Sequence, residues 1–364
     1  MPTSGVSARC DIAEIRRALS LILEPGQVAE LRVLNTRRGT VSGYFDDFEK
    51  LALAAATWSG KVPGVYLTLN PVNADLLARA HNRVREFARE TTSDVDILAR
   101  RWLPLDFDAV RPAGISSTDA EHIAALDKAQ ECRGYLRAEG WPDPILADSG
   151  NGGHLLYGVA LPKDDASRRV IASCLKALAF RFDDQAVHVD QGNFNAARIW
   201  KLYGTAVCKG DSLPKRPHRL ARILDAPTLE PVLHLQLEAL AATVPAPPPP
   251  LRSPRGGYGQ PLDLDAFIAR HNIDVAFEKT WNGARCLVLR VCPFSQDHND
   301  RSAVSIQWPG GALAFRCHHN GCIGKGWPEL RQLLEPGAIP HERPKGAAFK
   351  RGGRVYLPRV EVTL

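Results

Sequence analysis

The order of apolar and polar positions changes period repeatedly along the first 240 residues, and each change marks an element. Val65-Tyr66-Leu67-Thr68-Leu69 has the length and composition of a strand. Ala74 to Glu90 carries Leu77, Ala80, Val84 and Phe87 at helical spacing, which predicts a helix. Trp102 to Asp108 reads as a second strand, and Ser117 to Glu139 as a long helix capped by Ser116, Ser117 or Thr118. Ile145 to Ala147, His154 to Val159, Val187 to Asp190 and Arg198 to Tyr203 complete the strands, with a helix over Asp165 to Phe182 between them. The class is α/β (α+β), with a mixed or antiparallel sheet.

The pattern breaks near residue 244. Val244-Pro245-Ala246 leads into four consecutive prolines, Pro247 to Pro250, a composition that holds neither a helix nor a central strand. Beyond it, Asp265 to His271 predicts a short helix. Val275 to Trp281 and Ala284 to Val291 flank Asn282-Gly283, a two-residue hairpin signal. Val304, Ile306 and Trp308 alternate, Pro309-Gly310-Gly311 turns, and Leu313 and Phe315 alternate again. The expected organisation is a large domain over 1–240, a linker over 241–260, a small module over 261–335 and a basic, loosely ordered tail over 336–364.

Composition narrows the class. Of 364 residues, 45% are hydrophobic and 24% charged, enough to bury a core. Apolar runs such as Leu51 to Ala56 fall far short of the roughly 20 residues a membrane span needs. Asp11, Glu14, Arg16 and Arg17 interrupt what would have to be the apolar stretch of a signal peptide, so the expected location is the cytoplasm. The net charge of +6 permits a polyanionic partner. Between Arg198 and Arg222, seven basic residues stand against one acid, Asp211, either as a solvated face or as a binding surface. Cys10, Cys132, Cys174 and Cys208 are isolated, whereas Cys292, Cys317 and Cys322 lie near histidines, which fits a reduced compartment with one metal site.

Three segments of the large domain carry candidate chemistry. In Leu105-Asp106-Phe107-Asp108, residues two apart on a strand share a face, so both carboxylates project together. Like charges so placed repel unless a cation lies between them, and a divalent ion suits the pair if it is not mere surface decoration. Asp148-Ser149-Gly150-Asn151-Gly152-Gly153-His154 is a glycine-rich turn, either an ordinary hairpin or a cradle whose N–H groups meet a phosphate. In the cradle reading Ser149 and Asn151 assist at that phosphate and His154 enters from the start of the next strand, whereas in the hairpin reading His154 is a surface residue. Asp190 ends an alternating strand and is able to complete a triad of acids, while Arg198 and Lys201 follow, either as cations able to neutralise a triphosphate or as solvent-facing charges.

Taken in order, Asp-x-Asp, Ser-Gly-x-Gly-x-His, a strand-borne Asp and a basic strand resemble the archaeo-eukaryotic primase superfamily, the primase-polymerases of phages, plasmids and other mobile elements. The motifs frame residues 105 to 190, and the wider likeness spans roughly 30 to 225. The resemblance implies a catalytic core with an RNA-recognition-motif-like sheet and an N-terminal α/β unit. In it Asp106, Asp108 and Asp190 hold two Mg²⁺ or Mn²⁺ ions and His154 helps hold the incoming nucleotide. The expected activity is primer synthesis or extension on single-stranded DNA from NTP or dNTP. No Gly-x₄-Gly-Lys-Ser/Thr is present, so a separately encoded helicase is the expected partner. Two other readings are a replication-initiation nuclease, which needs a nucleophilic Tyr and usually a paired-histidine metal site, whereas no His-x-His pair lies near a plausible Tyr in the N-terminal part, and a non-catalytic zinc-containing adaptor for single-stranded DNA.

The small module offers Cys292, His298, Cys317 and Cys322 as two ligand pairs joined by a hairpin, the layout of a zinc ribbon. His318 or His319 is able to replace one ligand. Four protein ligands leave no open position, so this zinc is structural, and it stabilises a segment too small for a core of its own. The module also resembles the Cys-His-Cys-Cys zinc modules attached to phage and plasmid primases, which implies contact with single-stranded template.

Overall fold

The computed structural model describes residues 10–245, 262–322, 324–336, 349–351 and 354–356. The chain forms two compact units, Met1–Ala246 and Pro247–Leu364. The proline-rich linker lies outside the described residues from 246 to 261, and so does most of the tail beyond Gly337.

In the first unit, α1 (Ile12–Ile22), β1 (Ala29–Thr36), β2 (Gly39–Phe45), α2 (Phe48–Trp58) and β3 (Val65–Thr68) come first. They are followed by β4 (Arg100–Ala109), α3 (Asp119–Ala138), β5 (Ile145–Asp148), β6 (Gly152–Leu161) and α4 (Asp165–Phe182). The unit closes with β7 (Val187–Val189), β8 (Ile199–Lys201), β9 (Ala206–Val207), β10 (Arg219–Leu220), β11 (Arg222–Asp225) and α5 (His234–Ala241). Its main sheets have strand orders β2-β1-β3-β8 and β11-β5-β6-β4-β7, with antiparallel pairing throughout. This is an α+β architecture.

Alternation along β4 divides two cores. Leu103, Leu105, Phe107 and Ala109 pack with α3, α4 and α5 on one side. Trp102 faces the other side, into a core shared by α1, α2 and the strands of the first sheet. Asp106 and Asp108 continue the Trp102 face, where the apolar packing ends. Thr118 caps α3, closing a box with Glu121.

One sequence expectation fails. Ala74 to Glu90 is not a helix: a 3₁₀ helix over Ala74–Arg79 gives way to an irregular segment. The backbone groups that a helix would use are taken by the edge of β2 instead. Ser42 and Arg85 exchange both N–H···O bonds, the Tyr44 N–H donates to Ala80, and the Phe87 N–H donates to Arg38. Gly43 permits this contact, since a Cβ there would stand 2.1 Å from the Arg83 carbonyl. Tertiary pairing overrides the local periodicity.

The second unit contains α6 (Leu264–Arg270), β12 (Val275–Trp281), β13 (Ala284–Leu289), β14 (Ala303–Gln307), β15 (Leu313–Cys317) and α7 (Trp327–Leu334). A short hairpin of β16 (Phe349–Arg351) and β17 (Arg354–Tyr356) lies within the stretch read as tail. Strands β12 to β15 form an antiparallel meander in chain order. Asn282 and Gly283 both have positive φ, 47° and 75°, as a two-residue hairpin of the primed type demands.

Candidate active site and metal centre

Strand pairing gathers the acids. Asp106 lies opposite His154 across β4 and β6, and Asp108 lies opposite His188 across β4 and β7. Asp190 follows β7, and its N–H donates to the Asp106 carbonyl at 2.9 Å. Cross-strand neighbours share a face, so Asp106, Asp108 and Asp190 border one surface.

Their charges are managed individually. Nε2 of His154 is 3.3 Å from Oδ1 of Asp106, an ion-pair distance without hydrogen-bond geometry, and that oxygen is buried and accepts no hydrogen bond. Burial pushes the Asp106 carboxyl up, but His154, with Lys209 and Arg111, outweighs it and holds the group below its ordinary value. Asp108 goes the other way: burial and then the neighbouring Asp106 charge raise it, even though Arg111 donates to it at 3.2 Å. Asp190 accepts from the Gly192 N–H at 2.7 Å and from Arg198 at 2.9 Å, while Arg198 also donates to Asn193.

The remaining expected residues sit deeper. His154 is 3% exposed, with Nδ1 3.0 Å from the Tyr203 hydroxyl and its ring 4.1 Å from that of Trp200. Lys201 is buried. Its ammonium donates to the Ala206 carbonyl and lies 5.5 Å from the Tyr66 ring centroid, and burial pulls it down to about 7. The Oγ of Ser149 accepts from the Gly152 N–H, and Asp148 accepts from that of Gly150, so the turn satisfies its own donors. Asn151 accepts from the Ser117 N–H, tying the turn to the segment before α3.

The glycines serve packing as well. A Cβ on Gly152 would stand 2.1 Å from the Phe107 carbonyl, and one on Gly153 would stand 2.7 Å from Ala129. The expected phosphate cradle is therefore a close-packed hairpin, with its N–H groups spent internally.

Several neighbours of the acids escaped sequence reasoning. Arg111 follows Asp108 by three residues and Lys209 lies in the basic window, and either position was a usable signal. Tyr66, half-buried, is raised by burial and then by the charges of Asp106 and Asp108. Trp200 and Tyr203, which hold His154, stand in the strand that drew attention for its cations alone. Part of the basic window is structural: Arg216 pairs with Glu121, and Arg219 with Asp119, at the start of α3.

In the second unit, ligand atoms of Cys292, His298, Cys317 and Cys322 all lie within 4.8 Å of one another. Among the described residues this is the group of metal-ligating side chains so closely gathered, and the three aspartates are not drawn together to that degree. Cys292 and Cys322 sulfurs are 3.8 Å apart, and Nδ1 of His298 is 3.4 Å from Cys322 and 3.7 Å from Cys317. Tetrahedral bonds of about 2.0–2.3 Å call for ligand separations of about this size. The set can hold a metal such as zinc. His319 stacks on His298 with ring centroids 3.8 Å apart and shares a 2.8 Å hydrogen bond through Nδ1 with Ser302, outside the four-residue group.

Among the described residues, no helix is long and apolar enough to cross a membrane. No protein-family model matches the chain, and no curated protein does. Among solved structures the chain is similar to the crystal structure of the primase RepB′, with 11% sequence identity and a TM-score of 0.37. The match covers 64% of this chain and 62% of that one.

Proposed function

We propose that the chain is a template-dependent nucleotidyltransferase, a primase-polymerase that makes or extends primers on single-stranded DNA during replication of a mobile element. The observation that carries this reading is the common face of Asp106, Asp108 and Asp190, with one buried Asp106 oxygen left without a hydrogen-bond donor. A buried carboxylate oxygen that accepts no hydrogen bond is costly, and a divalent cation relieves that cost. The residues present therefore fit Mg²⁺ or Mn²⁺, with Asp106 and Asp108 as first ligands and Asp190 as the third. A pair of such ions stabilises the charge that develops on an attacking 3′-hydroxyl and a departing pyrophosphate.

The chain's own side chains prepare that site. His154 keeps Asp106 ionised and is itself fixed by Trp200 and Tyr203. Arg198 orients Asp190 and shares its charge. Lys209 and Arg111 set a positive field beside the acids, suited to the triphosphate of an NTP or dNTP. Lys201 lies within the fold with its ammonium on the Ala206 carbonyl, and Ser149 and Asn151 fix the turn that positions His154. The Cys292, His298, Cys317 and Cys322 module holds structural zinc and contacts template, and a separately encoded helicase supplies the strand.

Incorporation of labelled nucleotide on a primed single strand tests the reading. Native protein with Mg²⁺ or Mn²⁺ extends the primer, and Asp106→Ala/Asp108→Ala abolishes extension while keeping its fold. Undiminished extension by that variant overturns the assignment.

A further inference from the structure

The segment that failed to become a helix has an outer side of unusual composition. Along residues 81–89 the odd positions His81, Arg83, Arg85, Phe87 and Arg89 are exposed, while the even positions turn toward β2. Among the described residues, Arg83, Arg85 and Arg89 have no carboxylate partner. The nearby acids are engaged elsewhere, Glu86 by Arg38 and Glu90 by Arg79. Arg85, Phe87 and Arg89 border a cleft of about 530 Å³ floored by Ser42 and Tyr44.

Phe87 is the second half of the observation. Its ring is 67% exposed, and one face rests on Gly39, where a Cβ would stand 3.3 Å from the ring. Its φ is +52°, a strained value for a bulky side chain. Backbone pairing of Ser42 with Arg85 and of Arg38 with Phe87 holds it there. An aromatic ring fixed in solvent between unpaired guanidiniums suits a strand with bases to stack and phosphates to neutralise.

We infer that His81, Arg83, Arg85, Phe87 and Arg89 form a docking strip for single-stranded DNA. Phe87 stacks on a base, and the arginines contact phosphates. The inference rests on the polymerase reading and adds where the template runs. The strip lies along the outer edge of β2, four strand spacings from β8, on the order of 20 Å.

The test is fluorescence anisotropy of labelled oligothymidine with the full zinc-loaded chain and no nucleoside triphosphate, where no synthesis occurs. Arg85→Ala/Arg89→Ala is expected to weaken binding about tenfold near physiological salt and to lower the slope of log affinity against log salt by about 1.4. Phe87→Ala is expected to weaken binding about tenfold with the slope kept. Arg85→Lys/Arg89→Lys retains most of the affinity. Thermal unfolding confirms that each variant keeps its fold, as exposed side chains allow.

Unchanged affinity and slope in both alanine variants overturns the strip, and so does tighter binding of duplex than of single strand through the same residues. Primer extension by the native chain separates the two claims. Extension with unaltered binding in the variants sinks the strip alone. Absence of extension, with binding that depends on the strip, sinks the polymerase reading alone.

Discussion

Across the pairing of β4 and β6, His154 faces Asp106 with Nε2 3.3 Å from Oδ1, and the same imidazole is buried against Trp200 and Tyr203. The histidine thus links the acid surface to the core, and its charge and its position are separable properties.

His154→Gln keeps a polar group but removes the imidazole that holds Asp106 low. Because Asp106 acts ionised, the acidic limb of the pH profile for primer extension is expected to move to higher pH. His154→Ala also empties a packed site and is expected to cost about 3 kcal/mol by denaturant unfolding. An unmoved acidic limb in His154→Gln means that His154 does not tune Asp106.

Asp108 is raised by burial and by Asp106, so its ionised form opposes folding. Asp108→Asn is expected to unfold at a higher temperature than native protein at neutral pH. The sign follows from linkage. The native penalty is complete above the folded carboxyl's raised pKa and disappears as pH falls to the unfolded value, so the two melting points converge in acid. The same variant loses primer extension. A lower melting point at neutral pH contradicts the repulsion.

Lys201 presents the opposite case. Its folded value of about 7 lies below that of an unfolded lysine, so the unfolded chain binds the extra proton between them. Native stability is expected to rise as pH increases from about 7 toward 10, and Lys201→Met is expected to flatten that rise and to be the more stable protein at pH 6. Urea unfolding of both proteins from pH 6 to 10 checks this. Parallel curves show that the ammonium is well solvated or paired.

The sequence made the acids legible because strand periodicity is local: Asp106 and Asp108 are two apart, and Val187-His188-Val189 carries Asp190 to the same sheet. The clustering of Cys292, His298, Cys317 and Cys322 was legible for the same reason, since hairpin signals at Asn282-Gly283 and Pro309-Gly310-Gly311 fold them together. What the pattern hid depends on neighbours distant in sequence. Leu77, Ala80, Val84 and Phe87 have helical spacing, yet the edge of β2 captures their backbone, and Gly43 gives no local sign of that contact. Lys201 and His154 read as groups open to a nucleotide, and their burial against Tyr66 and against Trp200 and Tyr203 is a tertiary fact.

His298 and His319 are expected to differ in kind. His298→Ala removes a ligand and is expected to leave the second unit unfolded at metal concentrations that saturate the native chain. His319→Ala removes the ring stacked on His298 and its contact with Ser302, and is expected to weaken zinc about 10–100-fold while keeping one ion per chain. Competition with a metallochromic indicator measures both. Stronger zinc loss in His319→Ala than in His298→Ala reverses the ligand assignment.

Titration of Mn²⁺ into the zinc-loaded chain, read by loss of the free-ion paramagnetic resonance signal, addresses the aspartates without requiring turnover. Native protein is expected to bind Mn²⁺, more tightly with a nucleoside triphosphate present, and Asp106→Asn/Asp108→Asn to bind it at least about tenfold more weakly, a difference of about 1.4 kcal/mol. Equal Mn²⁺ affinity in native and variant protein contradicts the claim that these carboxylates hold the catalytic cations.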